Sequence, residues 1–399
     1  MRFVDSKFIK EEGIMRLSVL LIPVLLLASC RTSQPSTEKA LPGACGPINV
    51  SETYFDLDQL TYLQGAVSGV SSPRIKNLVY FGDSLSDGGR LGQRSFDTVI
   101  PKCVYWNNRF SNGPVWADYV TGGTGWKGKN YAIGGAETGR TNMASGFARF
   151  LGYADVRRAK STIQDVITAP YLSQIDEFKR DQAKAPYAPS ATLISIWIGP
   201  NNYFNSGVKA QKADGLPDPV LVNTMVTKVV ADIAEGVKKL QDMGFHDFVI
   251  GTMPPLGGVR AGTPGHVGVT FETNVLLKDL HNKMVTELVA SIKDDGNRVA
   301  LFNAYDITVD TNNHYQDYGF TSLENCYKGS PNGFFPDKAK SFCSDPLGSK
   351  LWDRIHPSTR MHCYYAGQFM KDIQDAKWVQ GVSQERINAA CKDIKFKNQ

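Results

Sequence analysis

The chain reads as a layered α/β protein built on a mainly parallel sheet. Three observations lead there. Short apolar runs alternate along the sequence with longer stretches of three-to-four periodicity. The runs Leu193-Ile194-Ser195-Ile196-Trp197-Ile198 and Phe248-Val249-Ile250 are almost wholly apolar, as strands covered on both faces are. Polar or glycine-rich turns follow several of these runs, and layered α/β proteins carry their chemistry at the C-terminal ends of strands.

Taken in order, the strand candidates are Ile75–Phe81, Lys129–Ala132, Thr192–Ile198, Phe245–Thr252 and Arg298–Asn303. Two helices show the clearest period. Between Val220 and Met243, the residues Val222, Met225, Val229, Ile233, Val237 and Leu240 recur at helical spacing. Between Asn274 and Ile292, Val275, Leu277, Leu280, Val285, Leu288 and Ile292 do the same. No internal repeat is visible. The region from about 305 to 346 is long and irregular and reads as an ordered insertion or lid.

Residues 1–30 stand apart from the fold. Arg16 precedes an apolar run from Leu17 to Ala28 that is short for a bilayer span and matches a signal-peptide core. Met15 fits a translation start, because residues 1–14 are polar and follow no signal pattern. The run ends in Leu27-Ala28-Ser29-Cys30, which resembles a bacterial lipobox. That resemblance implies cleavage before Cys30 and attachment of lipid to it; the alternative is an ordinary secretory signal with Cys30 unmodified. Arg31 to Gly46 is rich in Ser, Thr and Pro and reads as a flexible tether. The expected location is the bacterial outer membrane or cell surface, and otherwise the periplasm or the extracellular space. Arg31 stands where an inner-membrane retention signal carries Asp. Each of these compartments lets disulfides persist.

Bulk properties narrow the partners. Over 399 residues the 44 Lys and Arg outnumber the 39 Asp and Glu by a formal charge of only +5, with no dense basic stripe. Nucleic acid is therefore not an expected partner. Of seven cysteines, Cys45, Cys103, Cys326, Cys343, Cys363 and Cys391 remain after Cys30. An even number in an oxidising compartment points to disulfides. Cys326 and Cys343 flank a Gly/Pro/Lys-rich segment and are the expected pair. No C-x-x-C or H-x-x-x-H spacing calls for a metal, and no motif calls for an organic cofactor.

Two distant segments carry the chemistry. Phe81-Gly82-Asp83-Ser84-Leu85-Ser86-Asp87 places Ser84 on a turn just past a strand. Trp352-Asp353-Arg354-Ile355-His356-Pro357 places an acid three residues before a histidine, so one short loop can hold both. A serine hydroxyl needs a base within hydrogen-bond reach and a third group to orient that base. Ser84, His356 and Asp353 are the candidates. A tetrahedral intermediate also needs donors for its oxyanion. Asn130-Tyr131-Ala132-Ile133-Gly134-Gly135-Ala136 and Gly199-Pro200-Asn201-Asn202 supply glycines and an amide past strands. Asp83 and Asp87 read as residues that shape the nucleophile turn. His362 has Thr359 where an acid would be needed, so it reads as structural. His246, His266, His281 and His314 lack such a context. Tyr105, Trp106 and Trp116 read as core. Tyr203 and Phe204 follow Asn201, and lining an acyl pocket is the functional alternative to core for them.

In these segments and their order, the chain resembles the GDSL (SGNH) hydrolase family. The resemblance runs from Ser84 to His356. It implies an α/β/α sandwich of three layers on a flavodoxin-like, mainly parallel sheet, with 47–399 forming a single hydrolase domain. It also implies Ser84 as nucleophile, Asp353 and His356 as its partners, and an oxyanion hole from the N–H of Ser84, the N–H of Gly135 and the amide of Asn201. Gly134 is the alternative second donor. One position departs from the pattern: Asn202 stands where the family usually has Asp.

Pro254-Pro255-Leu256-Gly257 resembles the lipase-like branch. The implied activity is hydrolysis of acyl esters of lipids, as in bacterial lipases, phospholipases and lysophospholipases, with acyl transfer to cholesterol in some relatives. Some relatives are activated by proteolysis within a disulfide-bounded loop. Cys326 to Cys343, holding Lys328, Lys338 and Lys340, fits such a loop. The alternatives are a small-ester or carbohydrate acetylesterase, and an inactive lipid-binding lipoprotein encouraged only by Asn202.

Overall fold

The structure is a computed structural model; it describes residues 70–95, 100, 104–141, 168–255, 269–329 and 342–395. The proposed signal and lipobox, the tether, Cys45, Cys103, His266 and the Leu256-Gly257 half of the Pro-Pro-Leu-Gly loop lie outside these residues.

In chain order the strands and α-helices are β1 Asn77–Gly82, α1 Arg90–Arg94, α2 Trp116–Thr124, β2 Lys127–Asn130, α3 Tyr171–Gln182, β3 Thr192–Trp197, α4 Pro200–Ser206, α5 Pro219–Gln241 and β4 Asp247–Gly251. They continue with α6 Phe271–Asp294, β5 Arg298–Phe302, α7 Ala304–Asn313, β6 Ser322–Asn325, β7 Ser349–Leu351, α8 Thr359–Asp375 and α9 Gln384–Lys392. Five strands form one sheet in the order β2-β1-β3-β4-β5, and all its pairings are parallel. That is the flavodoxin-like order, whose direction of winding reverses between β1 and β3.

The strand residues alternate between two apolar layers. Leu78, Tyr80, Leu193, Val249 and Phe302 join one core, packed with residues of α2 and α8. Val79, Phe81, Ile194, Phe248 and Val299 join the other, with residues of α3, α5 and α6. The sheet is thus covered on both faces, which explains the unbroken apolar runs of β3 and β4.

Two segments differ from their sequence reading. β2 lies two residues earlier than expected. It is an edge strand of sequence Lys-Gly-Lys-Asn with its lysines exposed, so it has no apolar period to reveal it, and charge on an edge discourages strand pairing with other chains. The expected residues carry the ladder on: Tyr131 N–H donates to Tyr80 O at 2.8 Å and Ile133 N–H to Gly82 O at 3.1 Å. The region read as irregular from 305 opens on α7. This helix is polar, and the buried Lys350 side chain braces its last turn by donating to Thr308 O at 2.9 Å and Thr311 Oγ1 at 2.6 Å. A brace 39 residues away leaves no local signal.

The expected Cys326–Cys343 disulfide is present, and Cys363–Cys391 forms a second one that joins α8 to α9.

Candidate active site

The Ser84 turn is an extension of β1. At the strand's end the buried Gln174 amide brackets Gly82: it accepts from Gly82 N–H at 3.1 Å and donates to Gly82 O at 2.8 Å, beside Ile133 N–H on the same carbonyl. Asp83 then folds the chain back, accepting from Leu85 N–H at 3.0 Å through its side chain and from Ser86 N–H at 3.1 Å through its carbonyl. Its other carboxylate oxygen is buried without a hydrogen-bond partner. Burial pushes the Asp83 pKa up to about 7, despite the Leu85 N–H and the nearby His356 charge. Asp87 accepts four backbone N–H groups, from Gly89, Arg90, Leu91 and Gly134. Both acids therefore shape the turn, as their sequence context suggested.

The Asp353–His356 loop leaves β7 outside the five-stranded sheet. His356 Nε2 lies 2.9 Å from Ser84 Oγ, and its Nδ1 lies 2.7 Å from Asp353 Oδ2. Asp353 Oδ1 accepts the N–H groups of Ile355 and His356, each at 2.7 Å. Asp353 Oδ2 also accepts the Tyr105 hydroxyl at 2.5 Å. Burial alone would raise the Asp353 pKa, but the charge and hydrogen bonds of His356, with the Tyr105 hydroxyl, outweigh it and hold the pKa below the usual carboxylate range. An ionised Asp353 next to Nδ1 favours the tautomer with the proton on Nδ1, which leaves the Nε2 lone pair facing Ser84. Ser84 and His356 are only 9% and 5% exposed, so bulk water has little access to this pair.

The oxyanion candidates are tied to the same turn. Gly134 N–H is committed to Asp87 Oδ2 at 2.8 Å. Gly135 follows with φ of 79°, a conformation glycine adopts without strain, and a Cβ there would meet nothing within 4 Å. Asn201 opens the short helix α4 behind Gly199, whose φ is 137°, and Pro200 at the first helical position. Its Nδ2 donates to Ala136 O at 3.0 Å, so the Gly135 turn and Asn201 are joined directly. Asn202 explains its own departure from the family pattern. Its Oδ1 accepts Thr138 N–H and its Nδ2 donates to Thr138 Oγ1, both at 3.1 Å, while Thr138 gives its own proton to Asp232 at 3.0 Å. An aspartate at 202 would compete with Asp232 for that single hydroxyl proton.

The structure thus brings Ser84, His356 and Asp353 into one hydrogen-bonded chain and links Gly135 and Asn201 to each other. Tyr203 is fully buried and belongs to the core, with its hydroxyl 2.9 Å from His281 Nδ1. His362 is buried, and neither ring nitrogen has a partner; burial, then the His356 charge, press its pKa down to about 3. Sequence reading missed two contributors, Gln174 and the Tyr105 hydroxyl. Tyr105 acts across 248 residues of sequence, and no motif there marks it.

Comparison with known proteins gives the family. Over 334 residues the chain is 27% identical to a GDSL esterase/lipase of Arabidopsis thaliana, covering 75% of this chain and 87% of that protein. It is 23% identical over 331 residues to a phosphatidylcholine-sterol acyltransferase of Aeromonas hydrophila, covering 73% and 88%. It is 24% identical over 340 residues to an acetylesterase of Hypocrea jecorina, covering 75% and 88%. The family model for GDSL-like lipase/acylhydrolase matches residues 78–368, a span that holds β1 from Leu78 on, the Ser84 turn and the Asp353–His356 loop. The chain belongs to that family and is a carboxylic ester hydrolase of the GDSL type.

Proposed function

We propose that this protein is a serine esterase that cleaves acyl esters of lipids. The observation that carries the assignment is the unbroken chain Ser84 Oγ, His356 Nε2, His356 Nδ1, Asp353 Oδ2, with links of 2.9 and 2.7 Å. Ser84 Oγ attacks the ester carbonyl as His356 Nε2 takes its proton. Asp353 holds the imidazole in register and stabilises the imidazolium. The N–H of Ser84, the N–H of Gly135 and the Asn201 amide face the developing oxyanion. An amide nitrogen carries two protons, so Asn201 can hold Ala136 with one and the oxyanion with the other. His356 then returns the proton to the leaving alcohol. Water, or another alcohol, removes the acyl group from Ser84 by the same route reversed.

Similarity to the Aeromonas acyltransferase favours a glycerophospholipid acyl donor, with a sterol as one acceptor. Similarity to the Hypocrea acetylesterase supports the second reading, a small-ester esterase. Incubation with labelled phospholipid and lysophospholipid, with and without cholesterol, separates them. Fatty acid released without sterol marks a lipid hydrolase, and cholesteryl ester marks transfer as well. Turnover of short-chain esters alone marks the second reading. Ser84→Ala is expected to abolish every activity and fluorophosphonate labelling while leaving the unfolding transition in place. Wild-type turnover in that variant would sink the mechanism.

Two regulatory readings accompany this one. Lipid on Cys30 would hold the enzyme at a membrane; loss of acyl labelling in Cys30→Ser is the expected result. The Cys326–Cys343 loop is the proposed site of an activating cut. In its favour, Cys326 N–H donates to Leu351 O at 3.0 Å and Tyr327 N–H to Trp352 O at 2.7 Å, immediately before Asp353. Unchanged activity after cleavage inside the loop would remove that reading.

A further inference from the structure

We propose that Tyr105 is a positioning residue for the reaction, its hydroxyl locking Asp353 in the orientation that aligns His356 with Ser84. The proposal rests on the roles given above to Asp353 and His356. It begins with a count of acceptor positions. A carboxylate oxygen offers two lone pairs. Asp353 Oδ1 fills both with the N–H groups of Ile355 and His356. Asp353 Oδ2 receives His356 Nδ1 at 2.7 Å and the Tyr105 hydroxyl at 2.5 Å. The carboxylate is therefore saturated and cannot turn without giving up a donor. Asp353 and Tyr105 are both fully buried, so bulk water does not reach the bond between them.

Tyr105 belongs to a larger clasp. Its neighbour Val104 accepts Trp352 Nε1 at 3.0 Å through its carbonyl. Phe110 lays its ring against the His356 imidazole with centroids 4.8 Å apart. Ser111 Oγ donates to Pro357 O at 3.0 Å, and Asn112 Oδ1 accepts Thr359 N–H at 2.8 Å. One segment thus grips the base-bearing loop before, at and after His356. A purely structural role would be satisfied by the packing of the Tyr105 ring against Phe110 and Tyr327. Tyr105→Phe keeps that ring and removes only the proton donor.

Among the described residues, the charged and titratable groups around this pair are Asp83, Arg354, His362 and Tyr327. None of them bonds to Asp353 Oδ2, so removal of the Tyr105 proton leaves that oxygen's charge directed at His356 alone. The imidazolium is then better stabilised, and the acid limb of kcat/KM moves to higher pH.

The test is steady-state kinetics on a soluble nitrophenyl ester across pH for the full chain, Tyr105→Phe and a control, Tyr365→Phe. The control removes another buried hydroxyl, which bonds Thr308 on α7 at 2.8 Å. In Tyr105→Phe, kcat is expected to fall about ten- to a hundredfold, as loss of a hydrogen bond to a charged group implies. KM stays put and the acid limb shifts upward. The control shifts neither. In an Asp353→Asn background, Tyr105→Phe should cost little more, because its effect passes through Asp353. Unchanged kcat and pH profile in folded Tyr105→Phe would overturn the proposal, as would a full additional loss in the Asp353→Asn background. Ser84→Ala keeps the two failures apart. If that variant is inactive while Tyr105→Phe is normal, only this inference falls; if Ser84→Ala turns over normally, the site assignment itself falls.

Discussion

The serine half and the histidine half of the site are held in place by different means. Ser84 lies two residues beyond β1, a strand hydrogen-bonded along both edges, to β2 and β3. Its turn is fixed by its own aspartates and by the end of the sheet. His356 lies on a loop outside that sheet, gripped by a segment that precedes it by some 250 residues and by the backbone N–H groups of Cys326 and Tyr327. The first half is a consequence of topology, since the reversal between β1 and β3 opens a crevice at the strand ends. The second half depends on side-chain contacts that any sheet of this order could do without. The serine half should therefore tolerate change at a distance, and the histidine half should respond to it.

The largest expected effect strikes the histidine half. Asp353→Asn preserves shape but offers an N–H where Nδ1 needs an acceptor, and kcat should fall about 10⁴-fold with the fold intact. A loss confined to KM would break the contrast.

The next concerns the serine half and is read in stability. The folded pKa of Asp83 is raised from 3.8 to about 7. Its contribution is fully present below the unfolded value and is lost as pH rises through the folded one, on the order of a few kcal/mol. Asp83→Asn carries no charge at any pH. Urea unfolding at a series of pH values should show the variant gaining on the parent between pH 3.8 and about 7. Parallel curves would show that Asp83 is ionised in the folded state.

Removing the Cys363–Cys391 bridge with paired serines should cost about 3 kcal/mol, as loss of a loop of this size implies, while kcat is retained well below the melting temperature. A drop in kcat would extend the sensitivity of the histidine half out to α9. The smallest effect is assigned to Asp87→Asn. It weakens the hold on Gly134 N–H, and kcat should fall about tenfold as the Gly135 turn loosens.

The same contrast decides what the sequence could reveal. β1, β3, β4 and β5 were legible because burial on both faces leaves a run of apolar residues. Ser84, His356 and Asp353 stood out because a turn serine and an acid–histidine spacing are local patterns; the structure brings the three side chains within hydrogen-bond distance. β2 was misplaced because an exposed edge strand needs no apolar signal. α7 was hidden because a distant lysine supplies what its own sequence lacks. Tyr105 read as core, which it is, but its hydroxyl's partner could not be inferred from composition or period. Asn202, the one departure from the family pattern, clasps Thr138 and ties the segment after the Gly135 turn to α4.

The 272-residue separation between Ser84 and His356 has a consequence in time. A chain made from its N-terminus presents the serine long before its base exists, and a serine without a base is an ordinary alcohol. On the proposed roles, the growing polypeptide is chemically silent toward esters until the Asp353–His356 loop has been made and has joined the segment from Val104 to Asn112. Reactivity thus requires both ends of the domain, so the enzyme cannot attack surrounding esters before the C-terminal part of the site is in place.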